Sequence, residues 1–166
     1  MPTSRRRSPV VDEARVRTLL RRISGDVGDL AAEDPDVLGR DPRGLRAAKY
    51  SFVTAIEATI DVAQHLCASE QWGAPTTNGD AVRILARHDV LELDLAERLV
   101  AAVGFRNVLV HEYAVVDDTR VIAALSELDD LRDFVAAIQR PLRAAGCAPG
   151  RPRSGPGDLG PDGAAR

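Results

Sequence analysis

Aromatic residues are scarce in this sequence, and their scarcity already bears on the fold class. Phe, Trp and Tyr together make up 4% of the 166 residues, whereas 45% of the residues are hydrophobic. The hydrophobic set is mostly Ala, Leu and Val, which suits the packing of helix on helix better than a pleated sheet. We therefore expect an all-α protein, an up-and-down bundle of four to five helices in a single domain.

Positive charge, cysteine and long apolar runs are also in short supply. A net charge of -3 argues against a protein that coats nucleic acid through bulk positive charge, but it leaves room for a local basic cleft. Two cysteines, Cys67 and Cys147, cannot form a tetrahedral metal site, and neither has a His or Cys nearby at zinc-ligand spacing. No apolar stretch suits a signal peptide or a membrane span, so we expect a cytoplasmic protein without membrane contact.

Composition divides the chain into an arm, a bundle and a tail. Residues 1–9 are polar, contain three consecutive arginines from Arg5 to Arg7 and predict a flexible arm. Residues 143–166 are mostly Gly, Pro, Arg and Ala, and we expect a disordered tail because they offer too little to bury. Residues 10–142 form the predicted bundle.

Apolar residues recur at helical spacing in five segments of the bundle. They predict helices over about residues 11–32, 43–70 and 80–88, from Leu93 into the 106–113 segment, and from Asp117 or Asp118 to Pro141. The second helix has the widest apolar stripe and should be the centre of the core. The prolines and glycines between residues 35 and 44 predict a loop before it.

The segment Arg106-Asn107-Val108-Leu109-Val110-His111-Glu112-Tyr113 contains the residue types that phosphodiester cleavage requires. A histidine that titrates near neutrality can take a proton from a ribose 2′-hydroxyl or give one to the leaving oxygen. An arginine can bind the phosphate and stabilise its developing charge, and an asparagine can orient either partner. We therefore predict a catalytic site of Arg106, His111 and Asn107.

The spacing of Arg106 and His111 does not place them on one face of a regular helix. Five residues at about 100° each put them about 140° apart. Since Val108 and Val110 are weaker helix formers, we expect the helix to end or distort between the pair, with His111 at a helix terminus. One Arg and one His are few for acid–base cleavage, so we also expect a two-fold homodimer with the cleft at its interface.

Two carboxylates on the second predicted helix are further candidates. Glu57 and Asp61 are four residues apart and therefore share a face. This face is either a solvated acidic surface or one that lines the cleft and hydrogen-bonds to Arg106 or His111.

The remaining histidines and the tryptophan are more typical of structural roles. His65 lies one turn after Asp61 and favours a surface or helix-pairing position. His88 ends the third predicted helix, where a partly positive ring interacts well with the helix dipole. Trp72 predicts an anchor against the bundle rather than a platform for RNA bases.

Two separated segments resemble those of a known family. The stretch from Gly104 to Tyr113 carries a complete R-x-x-x-x-H-x-Y pattern and is followed by an acidic turn and a helix that ends in Asp133-Phe134. The stretch from Ala55 to Leu66 is similar to the second helix of the same family. Over about residues 10–140 the chain resembles the HepT-like family of HEPN proteins, and it departs from that family only in its arginine-rich arm and its tail.

This resemblance implies a helical dimer that acts as a metal-independent endoribonuclease toxin and needs no cofactor. Arg106 and His111 would be catalytic, Asn107 would assist them, and RNA would be the substrate. The implied partner is an MntA-like nucleotidyltransferase antitoxin of a type VII-like system, which transfers AMP from ATP to Tyr113. An adenylyl group there would add negative charge and bulk beside Arg106 and so block RNA.

Two other interpretations stay open at this point. In the first, the chain is a non-catalytic HEPN binding module that docks with a nucleotidyltransferase or presents a substrate to it, and Arg106 only binds a nucleotide phosphate. In the second, the chain is a purely structural helical adaptor. The adaptor interpretation predicts that Arg106, His111 and Tyr113 can be replaced together without a phenotype.

Overall fold

The computed structural model describes residues 11–111 and 117–146, with side chains as far as residue 140. These residues contain no strand and form seven α-helices: α1 (Glu13–Ala31), α2 (Pro35–Leu38), α3 (Pro42–Ser69), α4 (Asn78–Arg87), α5 (Leu93–His111), α6 (Asp118–Ala124) and α7 (Leu128–Gly146). A 3-10 turn, Leu125–Glu127, joins α6 to α7. The predicted all-helical fold is confirmed. In the part of the chain that the structure describes, no helix is both long enough and apolar enough to span a bilayer.

Aspartate side chains cap the starts of four helices. At α1, the Asp12 carboxylate accepts a hydrogen bond from the backbone N–H of Arg15. At α3, Asp41 accepts one from the N–H of Arg43. Each cap supplies an acceptor to an N–H group that has no partner within the helix and places a negative charge at the positive end of the helix dipole.

Helix α3 is the centre of the bundle and contacts each of the other six helices. Half of its 28 residues are buried because neighbouring helices cover it on several sides. Helix α1 runs antiparallel to it, as two distant contacts establish. The backbone N–H of Asp12 donates to His65 Nε2 at 3.0 Å, and Thr54 Oγ1 donates to Asp26 at 2.6 Å.

Helix α5 also runs antiparallel to α3, which fixes the position of the 106–111 segment. Trp72, just past the end of α3, stacks on His88, just before α5, with ring centroids 4.3 Å apart. Phe105 and Arg106, in the last third of α5, contact Phe52 and Glu57 of α3. The C-terminal end of α5 therefore lies beside the N-terminal half of α3.

Several predicted boundaries differ from the structure. The predicted loop over residues 35–44 contains the short helix α2, because Asp34 caps it and Pro35 is at its first position, where a proline is tolerated. The single fifth helix is divided into α6, the 3-10 turn and α7. In that turn the Ser126 hydroxyl donates to the Ala123 carbonyl, a local bond that competes with a regular helix.

The end of the bundle also differs from its prediction. Helix α7 continues through Pro141 to Gly146, past the predicted end of the fifth helix at Pro141. A proline inside a helix costs about 3 kcal/mol because it removes a hydrogen bond and crowds the preceding turn. The arm and the rest of the tail lie outside the described residues.

Helix α5 is uninterrupted from Arg106 to His111, so the predicted break between these two residues is wrong. The β-branched residues of this segment disfavour a helix by at most about 0.7 kcal/mol each. Leu109 is fully buried, which stabilises the helix by roughly 1.5–3 kcal/mol. Phe105 adds an edge-on contact with Phe52, with ring centroids 5.6 Å apart. Packing therefore outweighs helix propensity here.

Candidate active site

The guanidinium of Arg106 is held between α5 and α3, with only 19% of the side chain exposed. Its Nη2 atom donates to Glu57 Oε1 in an ion pair, and its Nη1 atom donates to Asn107 Oδ1 at 3.2 Å. Its Nε atom is buried and has no acceptor among the described residues. Two partners thus fix the guanidinium while one of its donors stays unused.

The unused Nε donor distinguishes Arg106 from a purely structural arginine. A buried donor without an acceptor costs roughly 1–3 kcal/mol, and such groups are rare in folded proteins. Nε and Nη2 form one edge of the guanidinium, and a phosphate can accept two parallel hydrogen bonds from such an edge. The local chemistry therefore favours an anionic oxygen ligand.

Asn107 and His111 occupy different positions around α5. Asn107 is exposed and contacts the guanidinium, as the hydrogen bond described above shows. His111 is exposed and is the last described residue of α5. It has no hydrogen bond or ion pair with another described residue. A single chain thus brings Arg106, Asn107 and Glu57 together and leaves His111 on another side of the helix.

The two candidate carboxylates differ in their contacts. Glu57 is half-buried and pairs with Arg106, as the cleft-lining interpretation requires. Asp61, one turn later, is exposed and makes no described hydrogen bond or ion pair with Arg106 or His111, as on a solvated face. Tyr113 lies outside the described residues.

The other two histidines have the structural positions that the sequence indicated. His65 pairs two helices, because its Nε2 accepts from the backbone of Asp12 at the start of α1. His88 caps the end of α4 and stacks on Trp72, and the two rings are nearly parallel, 8° apart. The half-buried Trp72 packs against the core and is an anchor, as predicted.

Two residues outside the predicted site fix the start of α6, which follows the motif in the chain. Lys49, the only lysine of the sequence, has a side chain 10% exposed and pairs with Asp118. Asp117 caps α6, and hydrogen bonds from the hydroxyl and backbone N–H of Thr119 hold the pKa of its carboxyl below its usual range. The sequence signal that could have pointed to a paired Lys49 is its place, as a single lysine, inside the apolar stripe of α3.

Arg106 and His111 belong neither to a described metal site nor to the lining of the adjacent cavity. Within residues 11–111 and 117–146, no group of three His, Cys, Asp or Glu side chains is placed to hold a metal ion. A cavity of about 310 Å³ lies between α3, α5, α6 and α7, and its lining includes Phe52, Phe105 and Arg120. Neither Arg106 nor His111 lines it.

A family model described as Ribonuclease HepT-like matches residues 20–138. The chain belongs to the HepT-like family. The match spans both Glu57 and the 106–111 segment, and it confirms the resemblance that the motif indicated.

Two curated relatives are named as nucleases. The mRNA nuclease HepT of Shewanella oneidensis is 28% identical over 127 residues, which are 76% of this chain and 92% of the relative. The tRNA nuclease HepT of Aphanizomenon flos-aquae is 34% identical over 70 residues, which are 42% of this chain and 48% of the relative. Ribonuclease activity is therefore the activity of the HepT-like family.

Solved structures share the fold. A tri-AMPylated HEPN toxin of Shewanella oneidensis, in complex with an MNT antitoxin, superposes with a TM-score of 0.70 at 23% identity, covering 75% of this chain and 96% of the toxin. The cytosolic protein YutE of Bacillus subtilis, whose function is unknown, gives a TM-score of 0.74 at 18% identity, covering 85% and 96%. At these identities the likeness shows the HEPN-like helical fold.

Proposed function

We propose that this chain is a metal-independent endoribonuclease toxin in which Arg106, Asn107 and His111 carry out the cleavage. The observation that carries the proposal is Arg106 itself, which is fixed by Glu57 and Asn107 and has a buried donor without an acceptor. An RNA phosphate is the ligand that this edge fits best. Membership of the HepT-like family, with relatives named as mRNA and tRNA nucleases, supports RNA as the substrate.

The proposed reaction is an intramolecular transesterification. A base removes the proton of a ribose 2′-hydroxyl, and O2′ forms a bond to phosphorus while the bond from phosphorus to O5′ breaks. An acid gives a proton to O5′, so that one product ends in a 2′,3′-cyclic phosphate and the other in a 5′-hydroxyl. Arg106 binds the non-bridging oxygens and stabilises their developing charge, while His111 carries the proton.

A second copy of the chain completes the proposed site. One chain supplies one His111, whereas the reaction needs a proton acceptor and a proton donor at the same time. A two-fold axis beside the exposed end of α5 would bring two copies of His111 into one cleft, one as base and the other as acid. The exposure of His111 and its lack of a described partner support this arrangement.

The proposed regulator is an MntA-like nucleotidyltransferase that adenylylates Tyr113. The phenol oxygen attacks the α-phosphorus of ATP, the bond to pyrophosphate breaks, and the phenol proton is released. The product places a phosphodiester charge and a nucleoside two residues after His111, where they would repel and block RNA. The similar toxin that was solved as an AMPylated protein bound to an MNT antitoxin supports this proposal.

The test is cleavage of single-stranded RNA by the purified protein, followed on a gel. We expect the unaltered chain to cleave, and the His111→Ala and Arg106→Ala variants to lose at least about 100-fold in rate. An acid–base group contributes about 10²–10⁴-fold and a charge-stabilising donor about 10²–10³-fold. His88→Ala is the matched control, because His88 is exposed and stacks on Trp72 away from the motif. Intact RNA together with tight binding of a nucleotidyltransferase would support the non-catalytic module instead.

A further inference from the structure

Helix α3 presents an exposed aromatic ring next to the candidate site. Tyr50 is 66% exposed and makes no described hydrogen bond or ring contact. It lies seven residues before Glu57, and seven residues amount to about 20° less than two full helical turns. Tyr50 and Glu57 therefore share a face of α3, about 10.5 Å apart along the axis. Since Glu57 contacts Arg106, the ring stands on the face that borders the guanidinium.

The antiparallel packing of α3 and α5 puts this ring and His111 towards the same end of the two helices, relative to the Arg106–Glu57 pair. Moving from Glu57 towards Tyr50 on α3 corresponds to moving from Arg106 towards His111 on α5. The first step is about 10.5 Å and the second about 7.5 Å, because a helix rises about 1.5 Å per residue. Tyr50 and His111 thus both lie beyond the Glu57–Arg106 pair in the same direction along the bundle.

Two arginines extend the face beyond the ring. Arg46 lies one turn before Tyr50 and Arg43 two turns before it, and both are exposed. Neither forms a salt bridge with a residue that the structure describes. On the other side of Glu57 the same face carries the exposed carboxylate of Asp61. A polyanion bound at Arg106 would therefore follow the Tyr50 side. We call Arg43, Arg46 and Tyr50 the α3 platform.

We propose that the α3 platform binds single-stranded RNA, with Tyr50 stacked on an unpaired base next to the phosphate held by Arg106. Arg43 and Arg46 contact the phosphates that follow. An aromatic ring between basic side chains is a common arrangement for single strands, because every base offers a face to stack on. Tyrosine and arginine are also common in protein interfaces, and the sedimentation measurement below separates a protein contact from an RNA contact. This proposal rests on the proposed ribonuclease function and names the residues that bind its substrate.

The first experiment measures the affinity of the full-length protein for a short single-stranded RNA, in a His111→Ala background that prevents cleavage. Tyr50→Ala should weaken binding by about 5- to 150-fold, the range of one lost base–aromatic stack, whereas Tyr50→Phe should bind as before. Leu93→Ala is the matched control, since Leu93 is 67% exposed but lies at the other end of α5. Equal affinities of Tyr50→Ala and its parent would overturn the proposal.

Salt dependence separates stacking from charge. Arg46→Gln should reduce the slope of log affinity against log salt by about 0.7, the value for one phosphate contact on a single strand. Tyr50→Ala should lower the affinity without changing this slope, because stacking releases no counterion. A changed slope for Tyr50→Ala with an unchanged one for Arg46→Gln would contradict the assigned roles.

A second measurement alters the RNA and compares its binding to the unaltered Tyr50 and to Tyr50→Ala. RNAs with a single abasic nucleotide, scanned along the strand, should bind less tightly when the missing base is the stacked one. Tyr50→Ala should be insensitive to the abasic nucleotide at that position. If Tyr50→Ala instead dissociates the protein into smaller species in sedimentation, the ring makes a protein contact and the proposal is wrong.

Cleavage of the same RNA by the protein with His111 intact reports separately on the proposed function. Absence of cleavage together with Tyr50-dependent binding would refute the catalytic role of His111 and support the platform. Cleavage together with Tyr50-independent binding would refute the platform alone.

Discussion

Arg106 and His111 lie five residues apart on one uninterrupted helix, so their side chains leave α5 about 140° apart. Arg106 turns towards α3 and pairs with Glu57, while His111 is exposed at the end of the helix. This divergence favours a cleft that two chains share. In such a cleft both copies of His111 would be needed for one cleavage.

Mixed dimers test this sharing. Two differently tagged chains, one unaltered and one His111→Ala, are co-expressed, and the heterodimer is isolated by sequential affinity steps. If one His111 is the base and the other the acid, the heterodimer should retain less than about 1% of the unaltered rate, because either group contributes about 10²-fold or more. Cleavage is measured under single-turnover conditions.

Independent chains would give a different result. A heterodimer with about half of the unaltered rate would mean that each chain cleaves by itself. A protein that remains monomeric in light scattering at micromolar concentration would contradict the shared cleft directly.

Glu57 should act as a positioning residue for Arg106. Glu57→Ala removes the carboxylate that fixes Nη2, and we expect a roughly tenfold slower cleavage because the guanidinium then samples other rotamers. Glu57→Gln retains an acceptor oxygen and should restore most of the rate. The expected loss of stability is only about 1 kcal/mol, since 45% of the Glu57 side chain is exposed. Urea unfolding and cleavage rates check the two effects, with Asp61→Ala as control. Equal rates for Glu57→Ala and the unaltered chain would contradict this role.

The sequence has two tyrosines, Tyr50 and Tyr113, and only Tyr113 should accept AMP. With ATP and an MntA-like nucleotidyltransferase, the unaltered chain should gain AMP and lose cleavage. Tyr113→Phe should gain none and keep cleaving, because it lacks the acceptor oxygen. Tyr50→Phe should still be adenylylated. Intact-mass spectrometry checks the transfer, and AMP on Tyr113→Phe would place the acceptor elsewhere.

The cap of α6 predicts a specific acid sensitivity. The Thr119 hydroxyl and N–H hold the pKa of Asp117 below its usual range, so the charged cap stabilises the fold above the pKa of the unfolded chain, about 3.9. This contribution is lost as the pH falls through the lower folded pKa. Asp117→Asn keeps a capping oxygen but does not titrate. The difference in unfolding free energy between the two proteins should stay constant above about pH 5 and change below about pH 4. A difference that is constant throughout would contradict the cap.

The sequence was sufficient for the fold class and for most helices, because their apolar stripes and caps are local signals. It placed α3 at the centre of the core, as observed, and it singled out Glu57 as a residue that could reach Arg106. It could not choose between contact and solvation for Glu57 and Asp61. That choice depends on how α5 lies against α3.

Two errors have the same physical origin. The predicted break in α5 and the predicted stop at Pro141 both gave weight to local propensity, which amounts to a few tenths of a kcal/mol for valine and about 3 kcal/mol for proline. The burial of Leu109 outweighs the valine terms, but its extent is visible only in the packed structure. The ion pair of Lys49 with Asp118 joins residues 69 positions apart and has no local signal beyond the lone lysine.

The end groups of the RNA products test the central claim most directly. The purified protein is incubated in EDTA with an RNA labelled at either end, and the new termini are identified by mass spectrometry. Cleavage through the 2′-hydroxyl predicts 2′,3′-cyclic phosphate and 5′-hydroxyl ends from the unaltered chain and neither from His111→Ala. Products with 5′-phosphate ends, or equal cleavage by His111→Ala, would contradict the assignment of Arg106 and His111 as catalytic residues.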